Sequence, residues 1–192
     1  MAVEIRPAQK NDAVHVAALM DIAGHGIESA FWAANASADG SAFEGARQRI
    51  IEDRSLPYHL SRALMLDVDG EVAGTLIGGP VPPGAEAPPG FPDYFAPLLA
   101  LEAHAAEHWA VIGLAVYPEY RGRGFARLLL HHAETLARRS GSVGVSLVVE
   151  DDNERALALY RSAGFAEQER RRWLPYGNRT GPAYWLLLSR PI

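Results

Sequence analysis

Hydrophobic positions along the chain recur with two periods, and each change of period marks a new element. Val3-Glu4-Ile5 reads as a short first strand. Beyond Pro7, Asn11 or Asp12 caps a helix that carries Val14, Ala17, Ala18 and Leu19 at helical spacing and ends at Gly24 and Gly26. Ser41 followed by Glu44 is a capping-box pattern for a second helix over about 42–54. Ala63 to Asp67 and Val72 to Ile77 are strands, joined by Asp69-Gly70, a dipeptide suited to a tight hairpin. Trp109 to Tyr117 is almost continuously apolar, as in a strand covered on both faces. A helix over about 123–139 follows, with a stripe of Ala126, Leu129, Leu130, Ala133, Leu136 and Ala137, and Gly141 stops it. Val143, Val145, Leu147 and Val149 alternate as a strand. Asn153 caps another helix, with Ala156, Leu159 and Ala163 on one face and Gly164 as its stop. Phe165 to Glu169 and Ala183 to Ser189 are the last strands. Strand, helix, strand and helix joined by short connections imply at least one parallel crossover, hence an α/β fold.

One stretch breaks the pattern. Eleven of the twenty residues from 78 to 97 are glycine or proline, which suppresses helix and sheet pairing. It reads as a loop insertion inside a single domain over 1–192, with Pro97 opening a short helix through Leu98, Leu99 and Leu101. The length of 192 residues fits one domain.

Composition narrows the function. A net charge of −5 gives no basic excess, so nucleic acid is not an expected partner. Cysteine is absent, which excludes disulfides, thiolate nucleophiles and zinc–thiolate sites. The apolar runs fall short of the ~20 residues of a membrane span. No basic stretch leads into an apolar one at Met1 to Arg6, so a cytoplasmic protein without a membrane partner is expected.

The chemistry concentrates in Tyr117-Pro118-Glu119-Tyr120-Arg121-Gly122-Arg123-Gly124-Phe125-Ala126. A buried strand ends there and a glycine-rich turn opens a helix, so free N–H groups and the helix dipole meet at one point, a setting for phosphate or pyrophosphate. Gly122 and Gly124 let a ligand approach closely, and Arg121 and Arg123 add charge. Two nucleotide motifs fail. A P-loop needs a lysine that is missing here, and the dinucleotide fingerprint needs glycine where Arg127 stands.

The segment from Leu114, Ala115 and Val116 through Arg121, Gly122, Arg123, Gly124, Phe125 and Ala126 instead resembles the acyl-CoA-binding motif of the GNAT N-acetyltransferases, Arg/Gln-x-x-Gly-x-Gly/Ala after a strand. A second family signature follows in Asn153, Ala156, Leu159, Tyr160 and Gly164-Phe165, so the resemblance covers about 109–166. It implies a mixed central sheet flanked by helices and acetyl-CoA as cofactor. It further implies that the strand at Leu114 to Val116 holds the pantetheine arm, that the N–H groups of 122–126 hold the pyrophosphate, and that a split beside the 143–149 strand admits the cofactor. Asn153 matches a cofactor contact, and Tyr160 matches the general acid. A tyrosine of pKa ~10 stays protonated beside a leaving thiolate of pKa ~8.5.

The general base stays open. Ala110 to Val116 holds no carboxylate, so Glu102, Glu107 and His108 are the candidates, with Glu150 and His104 nearby and a water chain as the alternative. His104 and His108 do not form a zinc motif, because Ala105 stands where a glutamate is needed, and no metal is expected. Arg170-Arg171-Arg172 reads as a solvated edge or a charged groove wall. The resemblance places the acceptor among the first helices, Ala23 to Trp32, and the 78–97 loop. The acceptor is a small-molecule amine or a peptide N-terminus, and a homodimer is possible as in many relatives. A catalytically silent acyl-CoA-binding sensor or scaffold is the competing reading.

Overall fold

In the computed structural model the described residues are 1–36, 40–86, 90–180 and 183–192. A seven-stranded mixed sheet has the order β1-β2-β3-β4-β5-β7-β6. By compactness the chain divides into two units, Met1–Gly78 with Ile112–Leu130 and Gly79–Val111 with His131–Ile192.

In the first unit, β1 (Val3–Pro7) runs antiparallel to β2 (Ala63–Val68), with Ile5 opposite Leu66. β2 turns into β3 (Glu71–Pro80) through Asp69 and Gly70, whose φ values of 52° and 89° are both left-handed, as a two-residue hairpin requires. Three helices, not two, fill the β1–β2 connection: α1 (Ala13–Ala23), α2 (Ile27–Ala34) and α3 (Ala42–Glu52). α2 is the addition. It starts beyond Gly26, whose φ of 89° reverses the chain, and buries Ile27, Glu28, Phe31 and Trp32. Ser41 caps α3 as expected, its Oγ accepting from the Glu44 N–H at 3.3 Å.

Asp12 does not cap α1. Its carboxylate takes the Arg6 guanidinium at 2.7 and 3.0 Å and the Gln9 N–H at 2.6 Å, while Arg6 Nε reaches Asp67 at 2.6 Å. The Arg6 hydrogen bonds hold the Asp12 carboxyl below its usual range, although burial opposes this. A long-range ion pair thus outcompetes the local cap and ties β1, the start of α1 and β2 together.

In the second unit, the first three residues of β4 (Trp109–Val116) pair in parallel with β5 (Gly144–Glu150), Trp109 opposite Val145 and Val111 opposite Leu147. This is the expected crossover. β7 (Tyr184–Pro191) lies antiparallel to β5 and to β6 (Ala166–Arg172), which carries a register shift between Glu167 and Glu169. Two expectations are corrected here. β5 is not a half-buried alternating strand: its residues are buried on both faces except the half-buried Val148, and Val143 lies outside it, 52% exposed. In α6 (Glu154–Ser162) the buried positions are Leu157 and Tyr160, whereas Ala156, Leu159 and Ala163 are only half-buried.

The glycine- and proline-rich stretch is shorter than 78–97. β3 runs to Pro80, Val81 accepts from the Glu107 N–H at 2.9 Å, and a 3₁₀ turn at Asp93–Phe95 leads into α4 (Ala96–His104). Residues 87–89 lie outside the described residues. The arginine run sits inside β6, where Arg170 pairs with Glu167 at 2.7 Å and Arg171 with Glu169 at 2.9 Å.

Candidate active site

The first unit holds the predicted anion cradle. β4 reaches it along a closely packed path. A Cβ on Gly74 of β3 would lie 2.6 Å from the Ala115 carbonyl oxygen, and a Cβ on Gly113 would run into the Met20 sulfur of α1. Only glycine permits these approaches. Tyr117 donates its N–H to Ala73 at 2.9 Å and its ring hydroxyl lies 3.0 Å from His15 Nδ1. A 3₁₀ turn at Pro118–Tyr120 then reverses the chain.

Gly122 and Gly124 have φ values of 77° and 82°, in the left-handed region. They prevent the helix from starting at 123. α5 (Phe125–Ser140) starts two residues later, its first bond running from the Leu128 N–H to the Gly124 carbonyl at 3.0 Å. The N–H groups of Phe125 and Ala126 therefore precede any intrahelical partner. A Cβ built on Gly122 or Gly124 meets no atom within 4 Å, so the space beside both glycines is open. A helix start with free N–H groups and open space beside it is a setting that suits an anion.

Both flanking arginines turn onto main-chain carbonyls. Arg121 donates Nε–H to the Val116 carbonyl at 3.0 Å. Arg123 donates to the Glu119 carbonyl at 3.3 Å and stacks over the Tyr120 ring at 5.6 Å.

The second unit holds the remaining predicted residues. Asn153 caps α6, its Oδ1 accepting from the Ala156 N–H at 3.2 Å. Tyr160 is buried against the Phe165 ring, and burial pushes its phenol up to about 12.

The base candidates separate clearly. Glu102, half-buried on α4, has its carboxyl pushed up to about 7 by burial alone. Glu107 is exposed at a left-handed φ of 65°, and its main chain bridges Val81 and Val143. His108 lies beyond α4 and does not share its face with His104; its Nδ1 lies 3.1 Å from the Ala106 carbonyl, and its ring packs where a Cβ on Gly144 would fall. His104 Nδ1 lies 2.5 Å from Glu169. Glu150 is occupied, accepting from the Tyr176 hydroxyl at 2.7 Å and from Arg179 at 2.6 Å.

The Glu150, Tyr176 and Arg179 network, the His15–Tyr117 pair and the Arg121 brace are absent from the sequence reading. Their partners lie far apart in sequence or show no local pattern. The only sequence signal available was the charged and aromatic run from Arg172 to Arg179.

Comparison with solved structures places this fold among acetyltransferases. An acetyltransferase crystal structure superposes with a TM-score of 0.67 at 20% identity, over 98% of each chain. An N-acetyltransferase from Staphylococcus aureus Mu50 gives 0.67 at 18% identity, over 97% of this chain and 100% of that one. The ribosomal-protein-alanine N-acetyltransferase of Brucella melitensis gives 0.62 at 21%, over 98% and 99%. The family model for the acetyltransferase (GNAT) family matches residues 27–165, a span that takes in the cradle, Asn153 and Tyr160, and the chain therefore belongs to the GNAT acetyltransferase family.

Proposed function

We propose that this protein transfers the acetyl group of acetyl-CoA to the nitrogen of an amine acceptor, a small molecule or a peptide N-terminus, within one acetyltransferase domain. The observation that carries the reading is the cradle: two left-handed glycines opening onto a helix start, with open space beside them. Acetyl-CoA supplies an activated acetyl group on sulfur.

The chain's own residues have four tasks in this reading. The N–H groups from Gly122 to Ala126 receive the pyrophosphate. The main chain of Leu114, Ala115 and Val116 aligns the pantetheine arm and polarises the thioester carbonyl. Glu102 takes the proton that the amine must lose. An alkylammonium of pKa ~10.4 holds that proton firmly at pH 7, and a carboxyl titrating near neutrality is a far better acceptor than one of pKa ~4.3. Tyr160 donates its proton to the departing sulfur, and burial keeps the phenol protonated at any physiological pH. The attack is direct, since the chain has no cysteine to carry an acyl group.

Free-thiol release from acetyl-CoA, measured across amines, amino acids and short peptides with Tyr160→Phe alongside, tests this reading. Release that depends on Tyr160 with one acceptor class supports it and names the acceptor. Calorimetric CoA binding with no release for any acceptor would favour a silent acyl-CoA-binding module instead.

A further inference from the structure

We infer that the end of β5 carries a binding site for an alkylguanidinium group, which Arg179 fills as an internal occupant and which an external ligand of the same chemistry can take over. The inference is independent of the acetyl-CoA reading, and every residue it uses lies in the second unit.

The site begins with a charge that burial makes costly. Glu150 closes β5 and is buried, so its carboxylate needs a cation. Arg179, from the segment between β6 and β7, supplies it. One Nη donates to Glu150 and the other to Asp152, each at 2.6 Å. The guanidinium carbon lies 5.5 Å from the centre of the Trp173 ring and 5.8 Å from that of Tyr176. Two separate carboxylates beside aromatic rings suit a planar fork, and an ammonium meets only part of this set.

The walls have supports of their own. The Tyr176 hydroxyl donates to Glu150 at 2.7 Å, its ring packs on Tyr94 at 5.9 Å, and the Trp173 main-chain N–H donates to the Ala183 carbonyl at 3.1 Å. The buried Trp173 indole N–H has no acceptor among the described residues, so Arg179 leaves one donor of the wall unmatched. The occupant is placed differently. Its side chain is 27% exposed against 6% for Glu150, and a turn through the exposed Gly177 and Asn178 carries it. The negative charge is thus fixed in the fold, while its cation rides on a surface turn. Withdrawal of Arg179 leaves Glu150 buried and unneutralised, so exchange requires an incoming cation of the same shape.

The test uses the full chain and ethylguanidinium, which replaces the atoms from Cγ outward that Arg179→Ala removes. Binding is read from the Trp173 indole N–H resonance and from thermal unfolding at fixed ionic strength, with ethylammonium as the control. An occupant tethered by a short turn competes at an effective concentration of millimolar order, so Arg179→Ala should bind ethylguanidinium about tenfold more tightly than the parent. It should regain thermal stability with ethylguanidinium and not with ethylammonium, and lose that response when Glu150→Gln is added. Should Arg179→Ala fail to fold, Arg179→Lys takes its place with the same expected ranking, because an ammonium holds the site less well. Agmatine beside a blocked arginine-centred tripeptide then distinguishes a free ligand from an arginyl side chain, the tighter binder naming the source. No binding, equal affinity of parent and variant, an equal response to ethylammonium, or a response that survives Glu150→Gln would overturn the inference and leave Arg179 a structural brace alone.

Discussion

The proposed anion cradle and the proposed proton-transfer residues are built by opposite means. The cradle is almost entirely main chain: a strand end, a short turn, two left-handed glycines and the first N–H groups of α5. Its chemistry follows from backbone geometry that a dozen consecutive residues set. Tyr160 and Glu102 are side chains whose value lies in their burial, which moves the phenol up to about 12 and the carboxyl up to about 7. A main-chain site is damaged by bulk and by wrong φ angles. A side-chain site is damaged by removing one atom. Variants in the two regions should therefore separate binding from turnover.

The largest effect should come from bulk in the cradle. Gly124→Trp fills the open space and forces a side chain into φ +82°, so CoA affinity should fall by about a hundredfold or more in a protein that still folds. Calorimetry with circular dichroism reads both quantities, and undiminished affinity would break the placement of the cofactor. Tyr160→Phe removes one oxygen from the other region. It should lower kcat by about 10²–10³ and leave CoA affinity within about twofold, which steady-state kinetics beside calorimetry distinguishes.

Glu102→Gln should lower kcat/KM by about 10–100-fold and abolish a rise in its pH profile centred near 7. Stability offers an independent reading of the same group. The folded carboxyl titrates above its unfolded value of about 4.3, so folding holds its proton more tightly. Its contribution is fully present below that unfolded value and is lost as pH rises through about 7. The parent's denaturant midpoint should decline over this window more than that of Glu102→Gln. A matching decline in both would place the titration elsewhere.

The smallest effect belongs to Gly122→Ala. The space around Gly122 is open, so only the left-handed φ of 77° is strained, and stability should drop by about 1 kcal/mol with little loss of CoA affinity. Urea denaturation and calorimetry together distinguish strain at Gly122 from the occlusion expected at Gly124.

The same contrast explains what was legible beforehand. The β2–β3 hairpin, the β4 strand and the α5 stripe were readable because each depends on neighbours within a few residues. Asp69-Gly70 at the hairpin and the Ser41 cap at the start of α3 are local devices, and both are present, while the Glu44 carboxylate of the expected capping box takes Arg47. α2 was missed because it is a short helix lodged behind a glycine reversal. Asp12 was misread as a cap because its winning partner, Arg6, draws in Asp67 from 61 residues along the chain. Alternation in β5 misled for a related reason, since both faces of that strand are covered by elements that its own period cannot reveal.

For the site, the glycine positions and the tyrosine were accessible as sequence pattern. The partners of Glu150 were not, because Tyr176 and Arg179 lie 26 and 29 residues away. Nor was the upward push on the Glu102 carboxyl, which comes from burial and not from a neighbouring charge.

The sequence alone determined the α/β order, the parallel crossover and the place of the anion cradle, because periodicity, glycine and a helix start act over a few residues. Only the tertiary structure decided which carboxylates are occupied, which one is pushed toward neutrality and that Arg121 faces a carbonyl. Desolvation and hydrogen-bond pairing are set by whatever the fold brings alongside, and no local pattern encodes that neighbour.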